Sequence, residues 1–226
     1  MTSFLNLQTY VSRELADPSK LTFDVDAVKD FIAQGLAALS RIAPDEYQED
    51  ITPVSGQFSY QLRSSIYTTG LTPREVRLHR VEFWSGTPSR FAWKVRSKAG
   101  QPSGDSLSGW ALFAGNLEIP QYEVDAMVAY NPNGIIRVWG YAPYIMPVND
   151  ADIVPVGSEL ELALRTFCKV EGLRRLTSSR VLFKQWQARS NNTDVTLGNL
   201  NSDLQVAEDQ WRRLSRELKV LTPGQE

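Results

Sequence analysis

The chain begins with two segments in which apolar residues recur every three or four positions, the spacing of one face of an α-helix. The first segment runs from Ser3 to about Ala16 and stops at the pair Asp17-Pro18. The second begins after Asp24, a residue type that caps helices, and stops at Pro44. Residues 1–44 are therefore predicted to supply a pair of helices. Their apolar stripes comprise Phe4, Leu7, Val11 and Leu15, and Val25, Val28, Ile32, Leu36 and Leu39.

After Pro44 the apolar positions alternate with polar ones, which is typical of half-buried β-strands. A change of phase near His79 and Arg80 predicts a β-bulge. Ser55-Gly56 and residues 131–134 are expected to form hairpin turns, the acidic residues 45–50 a solvated lead-in, and residues 99–106 an exposed loop. This pattern predicts an antiparallel sandwich or barrel-like unit over residues 45–146. The predicted strands are 51–54, 57–62, 75–84, 91–95, 110–113, 123–130 and 135–141.

The remaining residues, 147–226, return to helical spacing. Ser158 with Glu161 predicts a capping-box start for a helix that reaches about Leu176. This helix is apolar on two sides, because Leu160, Leu164 and Phe167 share one face and Leu162, Leu173 and Leu176 lie nearly opposite. Its second face is expected to pack either on a neighbouring subunit or on this chain's own helices. A last helix is predicted to begin at Ser202, with Leu218 on its apolar stripe, and to end in residues 221–226, which are expected to fray.

Together these segments predict an α+β fold in which residues 45–146 are inserted into a helical domain built from residues 1–44 and 147–226. The length of 226 residues and the 42% hydrophobic fraction suit an ordinary globular protein.

No apolar run is long enough to span a bilayer, and the first residues do not resemble a secretory signal. The single cysteine, Cys168, excludes an intrachain disulfide and is expected to pack in a helix.

Charge is distributed in blocks although the net charge is only −2. Residues 1–62 carry −5, residues 63–98 carry +6, residues 99–158 carry −5 and residues 159–226 carry +2. Adjacent blocks of opposite sign suit faces, or neighbouring copies, that meet by charge complementarity. Unrelated solvated faces explain the same pattern equally well.

No residue set indicates a catalytic, metal or cofactor site. His79 is the only histidine and lies in a basic strand, and motifs for nucleotides, metals and serine nucleophiles are missing. The carboxylates near Asp45 could pair for glycoside hydrolysis, although a solvated role is simpler. The six tryptophans could form a sugar-binding or base-stacking platform, and the basic block could contact nucleic acid, but core packing accounts for most of them. We predict a protein that is not an enzyme and has no cofactor.

The order of parts resembles the head-to-tail connector (adaptor, or neck) proteins of tailed bacteriophages. The resemblance covers most of the chain and rests on three stretches: EYQEDITPVSGQFSYQL, NPNGIIRVWGY and EDQWRRLSRELKVL. It implies a virion protein, made in the host cytoplasm, that forms a ring, commonly twelve-fold, below the portal. Its partners would be other copies, the portal protein, a tail or tail-completion protein, and genomic DNA that passes through the lumen without sequence-specific binding; no membrane is implied.

The two-faced helix, the charge blocks and the C-terminal tail suit head-to-tail contacts between subunits. Another virion component, such as a tail-completion or baseplate protein, and a carbohydrate-binding module are the alternatives. The candidate subunit contacts are Leu162, Leu173, Leu176, Arg77, Arg80, Lys94, Arg96 and Lys98. The candidate portal-docking tail comprises Leu218, Lys219, Val220, Leu221, Thr222 and Pro223.

Overall fold

A computed structural model describes residues 2–62, 77–85, 90–95, 109–113, 116–190 and 193–221. The chain divides into two compact units. The helical unit comprises residues 1–44 and 144–226, and the β unit comprises residues 45–143. The predicted α+β class is confirmed. The elements in chain order are α1 (Phe4–Glu14), α2 (Val25–Ile42), β1 (Asp45–Ile51), β2 (Ser59–Gln61), β3 (Arg77–Ser85), β4 (Arg90–Val95), β5 (Ala111–Phe113), β6 (Asn116–Glu118), α3 (Gln121–Tyr130), β7 (Ile135–Ala142), α4 (Ser158–Ser178), α5 (Arg180–Ser190) and α6 (Leu197–Leu221).

The two N-terminal helices begin where the sequence predicts. The Ser3 side chain accepts a hydrogen bond from the Asn6 amide at the start of α1, and the Asp24 side chain accepts one from the Ala27 amide at the start of α2. The connection between the helices is organised by Asp17, which is only 4% exposed. Its carboxylate accepts hydrogen bonds from three consecutive backbone amides, those of residues 21–23, at 2.8–3.0 Å. These bonds satisfy backbone donors that the turn would otherwise leave unpaired.

Helix α4 is the centre of the helical unit and packs against α1, α2, α5 and α6. Gly35 of α2 permits a close approach, since a Cβ atom there would lie 2.5 Å from Leu164 Cδ1. Cys168 of α4 is fully buried nearby, as predicted. None of the helices in the described part of the chain is long and apolar enough to cross a membrane.

One predicted capping box, at Ser158, and one predicted helix start, at Ser202, are wrong. Helix α4 is capped by Gly157 and not by Ser158, because Ser158 already lies inside the helix, and Glu161 accepts a hydrogen bond from Thr2 Oγ1 at 2.7 Å. Helix α6 begins at Leu197, five residues before Ser202. The Thr196 hydroxyl accepts a hydrogen bond from the Asn199 amide at 3.3 Å, so it takes the capping role there.

The β unit contains two antiparallel sheets, and within the described residues neither closes into a barrel. The four-stranded sheet has the order β1-β7-β3-β4 and the three-stranded sheet the order β2-β6-β5. Both sheets and α3 contribute to one apolar core that includes Phe83, Leu117, Met127 and Val138. The predicted bulge is confirmed by a register shift between Leu78 and Arg80. The exposed loop expected at residues 99–106 lies outside the described residues.

The first predicted hairpin is wrong. Strand β1 covers Asp45–Ile51, so the acidic residues expected to be a solvated lead-in are themselves the strand, and they pair with β7. Strand β2 pairs with β6, and β6 was not predicted from the sequence. Carboxylates disfavour strands, but Asp50 lies opposite Arg137 in β7, and this ion pair offsets the poor propensity.

Residues 123–130, predicted as a strand, belong to helix α3. Val124, Ala126 and Val128 alternate as in a strand, but Val124, Met127 and Val128 also satisfy the helical spacing. Val124 and Met127 are fully buried in the core. Pro120 precedes the first turn, a position where a missing amide costs nothing. Residues 131–134 therefore join a helix to β7 and do not form a hairpin.

Candidate interaction surfaces

The four-stranded sheet buries one face and leaves the other half-exposed. In β7, Ile136, Val138 and Ala142 are buried, whereas Arg137, Trp139 and Tyr141 alternate with them and are half-buried. We call the second side the outer face. It also carries Arg80, Glu82 and Trp84 of β3, Phe91 and Lys94 of β4, and Glu46, Gln48 and Asp50 of β1.

Arginine side chains stack on the tryptophan rings of the outer face. The Arg80 guanidinium lies 3.9 Å from the ring centroid of Trp139, and the Arg137 guanidinium lies 4.5 Å from that of Trp84. The two tryptophan rings are 6.2 Å apart. Stacked cations of this kind stabilise a surface and also cover the ring faces that a sugar would need. The outer face is therefore a poor sugar-binding platform.

The cations of this stack are paired with carboxylates. Arg137 donates two parallel hydrogen bonds to Asp50, from Nε at 2.6 Å and from Nη2 at 2.7 Å. These bonds are the main reason why the pKa of Arg137 is raised above its ordinary value. Glu82, only 7% exposed, accepts a hydrogen bond from Trp84 Nε1 at 2.9 Å and lies 3.2 Å from Arg80 Nε. The surface is an ordered, charge-compensated array.

Phe91 extends the aromatic row to β4, contrary to expectation. Simple alternation along β4 would place Phe91 on the same face as Trp93 and Val95. A register shift between Phe83 and Trp84 instead places Phe91 opposite Trp84, where it is 53% exposed, with 6.2 Å between the two rings. Trp93 contacts Phe83 and belongs to the core side.

The structure gives no support for acid-base or thiol chemistry in the part of the chain that it describes. His79 is exposed beside Tyr141, and its pKa is lowered, first by partial burial and then by the charge of Arg80. Burial raises the pKa of the Cys168 thiol far above its ordinary value, so the thiol stays protonated. No group of three His, Cys, Asp or Glu side chains among the described residues could hold a metal ion.

The predicted basic contact residues are only partly placed. Arg80 and Lys94 lie on the outer face, and Lys94 is opposite Glu82. The backbone of Arg77 pairs with Tyr141, while its side chain lies outside the description. Arg96 and Lys98 lie outside the described residues. The alternation in the stretch IIRVWGY could have indicated that Arg137 and Trp139 share one face of a strand. No signal in the sequence indicated that Asp50 and Glu82 lie next to them.

Two of the predicted apolar contacts on α4 require correction. Leu173 is 5% exposed and Leu176 is 0% exposed, and both belong to the core of the helical unit. Because α4 is surrounded by this chain's own helices, these residues are not available to a neighbouring subunit in this fold. Leu162 is 47% exposed and remains available.

The predicted C-terminal tail is also partly corrected. Helix α6 continues to Leu221, so the first four residues of the candidate docking tail are helical: Leu218, Lys219, Val220 and Leu221. Only Leu221 of these belongs to the segment that was expected to fray. Leu218 is 8% exposed and packs in the core. Thr222 and Pro223 lie outside the described residues.

A second exposed surface lies where the start of α1 meets the segment before α4. Backbone hydrogen bonds join Phe4 to Asp152 at 2.9 Å and Leu5 to Asp150 at 3.0 Å. Leu5, Ile153 and Leu162, which we call the apolar junction, are 48%, 58% and 47% exposed. They lie on segments that these bonds and the Thr2–Glu161 hydrogen bond connect. Apolar side chains that are exposed together mark interaction sites, whereas a single exposed apolar residue is normal on any protein surface.

Comparison with known proteins adds no relative: no protein-family profile matches this chain, and no curated protein matches its sequence.

Proposed function

We propose that this chain is a structural virion protein, a head-to-tail connector that forms a ring below the portal and joins the capsid to the tail. The observation that carries the proposal is the apolar junction on the helical unit. Three apolar side chains remain about half exposed there, on segments that are themselves held in place by hydrogen bonds. A preformed apolar surface binds a partner at a low entropic cost.

The outer face of the β unit supports the same class of function. Two of its cations, Arg80 and Arg137, are already stacked on rings and paired with carboxylates, so their charges are less available to bind a phosphate backbone. In the proposed ring, DNA passes through the lumen without sequence-specific binding. The proposed function involves no catalytic step and no cofactor. The proposed location of the protein is the neck of the virion.

The test is the native mass of the protein, measured by mass spectrometry alone and after mixing with purified portal protein. We expect a ring, or a portal-bound complex, of about twelve copies. A ring of another order that ignores portal would favour a tail-completion or baseplate protein. A monomer that ignores portal and binds glycans would favour the carbohydrate-binding alternative and end the connector proposal.

A matched pair of variants tests the apolar junction. Leu162→Glu places a charge at the junction, and Val206→Glu places one at a position on α6 that is 68% exposed. We expect Leu162→Glu to reduce the assembled fraction roughly tenfold, since a buried unpaired carboxylate opposes association, whereas Val206→Glu leaves it near the wild-type value. Equal assembly of both variants would contradict a role for the junction. Thermal unfolding checks that both variants are folded.

A further inference from the structure

The four-stranded sheet has two edges, β1 and β4. Among the described residues, no strand pairs with the free side of either one. Edge strands carry a row of backbone N–H and C=O groups that can pair with a further strand. Both edges are substantial, with seven residues in β1 and six in β4.

The two edges have opposite charge. Strand β1 reads DEYQEDI, with four acids and no base, of which Glu49 is buried and Asp50 is paired with Arg137, and β4 reads RFAWKV, with two bases and no acid. Glu46 and Gln48 are exposed on β1, and Arg90 and Lys94 are exposed on β4. Three strand spacings separate the edges, about 14 Å, and their free sides point in opposite directions. The acidic and basic edges therefore cannot meet within one chain, but they can meet between two.

A groove lies beside the β4 edge. It has a volume of about 270 Å³ and is lined by Trp93, Lys94 and Val95 of β4 and by Tyr122, Glu123 and Ala126 of α3. Strand addition uses backbone hydrogen bonds for affinity and adjacent pockets for alternate side chains. The groove offers space for side chains from a strand added to β4.

We infer that β1 of one copy pairs with β4 of the next, so that the sheet continues from subunit to subunit. This inference rests on the proposed function, which requires copies to associate, and it specifies one of the contacts. Pairing β1 with β1 would oppose acids, and pairing β4 with β4 would oppose bases, so symmetric dimers through either edge are disfavoured. A contact between two different edges is head-to-tail, the type that closes into a ring.

Charge reversal on the two edges tests this pairing. The first variant is Glu46→Lys with Gln48→Lys, and the second is Arg90→Glu with Lys94→Glu. Each variant alone places like charges opposite each other at the exposed positions 46, 48, 90 and 94 of every contact, and we expect the assembled fraction to fall at least tenfold. An equimolar mixture restores opposite charges at these exposed positions, because the first variant's β1 meets the second's β4 and the two remaining native edges also match. The mixture should regain assembly with alternating subunits and an even number of copies.

Matched controls carry the same charge changes on exposed helical positions. They are Asp30→Lys with Gln34→Lys on α2, and Arg180→Glu with Lys184→Glu on α5. We expect both controls to assemble within about twofold of the wild-type protein. Since Lys94→Glu places a second acid opposite Glu82, the variant Arg90→Glu with Lys94→Gln replaces it if thermal unfolding shows a loss of folding.

The outcomes separate this inference from the proposed function. If the wild-type protein assembles, alone or with portal, and both edge variants assemble equally well, the edge pairing is wrong and the connector proposal stands. The pairing is also overturned if folded edge variants fail singly and their mixture does not recover. If the wild-type protein stays monomeric in both conditions, the proposed function fails, and the pairing fails with it.

Discussion

The two units of this protein use their central elements differently. In the helical unit, α4 is covered by helices of the same chain, and Leu164, Cys168, Leu173 and Leu176 are each at most 5% exposed. In the β unit, the central strands β7 and β3 bury one face and place arginine, tryptophan and carboxylate side chains on the other. A helix with two apolar faces can bury both of them against other helices of its own chain. A sheet that buries only one face leaves polar side chains on the other face and, within the described residues, two unpaired edges.

The largest expected effect tests the claim that α4 is an internal helix. Leu176→Ala should lower the free energy of unfolding by about 2–5 kcal/mol, because it removes a fully buried side chain and leaves a cavity. Leu162→Ala on the same helix should lower it by less than about 1 kcal/mol, because Leu162 is half-exposed. Urea denaturation followed by circular dichroism measures both values. Equal losses would mean that α4 is not covered as described.

An intermediate effect is expected on the outer face of the sheet. Arg137→Lys removes the paired hydrogen bonds to Asp50 and the flat stack on Trp84, and should lower the free energy of unfolding by about 1 kcal/mol. The control is Arg212→Lys on α6, whose ion pairs are more exposed; it should cost less than about 0.5 kcal/mol. Tryptophan fluorescence during urea denaturation follows the change near Trp84 and Trp139. An Arg137→Lys variant as stable as the control would show that the stack contributes nothing measurable.

The smallest effect is expected at low pH. The pKa of Asp125 is lowered from 3.8, first by a hydrogen bond from the Ser55 hydroxyl and then by one from the Gly56 amide. Because the folded-state pKa is depressed, this carboxylate stabilises the fold above pH 3.8, and its contribution disappears as the pH falls through the folded-state pKa. Asp125→Asn should therefore unfold with a weaker pH dependence below that value.

Asp152 provides the corresponding group in the helical unit. Its pKa is lowered mainly by the hydrogen bond from the Asn149 amide, so the sign of its pH dependence is the same. Thermal unfolding temperatures at neutral pH and below pH 3.8, measured for the wild-type protein, Asp125→Asn and Asp152→Asn, test both groups. Unchanged pH dependence in both variants would contradict the two assignments.

Elements with a strong single periodicity were predicted correctly from the sequence. Helices α1 and α2 and strand β7 each have apolar residues on one face. The bulge in β3 was predicted because the phase of the alternation changes there. Elements with mixed signals were not. Residues 123–130 fit both the helical and the strand period, and the acidic residues of β1 have a poor propensity for strands. Contacts with residues far away in the chain therefore decided the secondary structure of each segment.

The candidate surfaces show the same division. The sequence indicated Arg80, Lys94 and Leu162 as contact residues, and the structure leaves all three at a surface. It also indicated Leu173 and Leu176, but both are buried in the core of the helical unit. Apolar character alone does not distinguish burial within a chain from burial between chains. Trp139 and Asp50 were missed as members of one array, since they meet only through the register of β1, β7 and β3.

By itself the sequence determined the α+β class, the local helix starts at Ser3 and Asp24, and the charge blocks, because these depend on neighbouring residues and composition. Only the tertiary structure decided that the acids of β1 and the bases of β4 lie on opposite edges of one sheet, and that α4 is covered by its own chain. Strand order and helix packing depend on contacts between residues far apart in the chain. Such contacts are selected by the total burial and pairing of the whole fold and not by any local pattern.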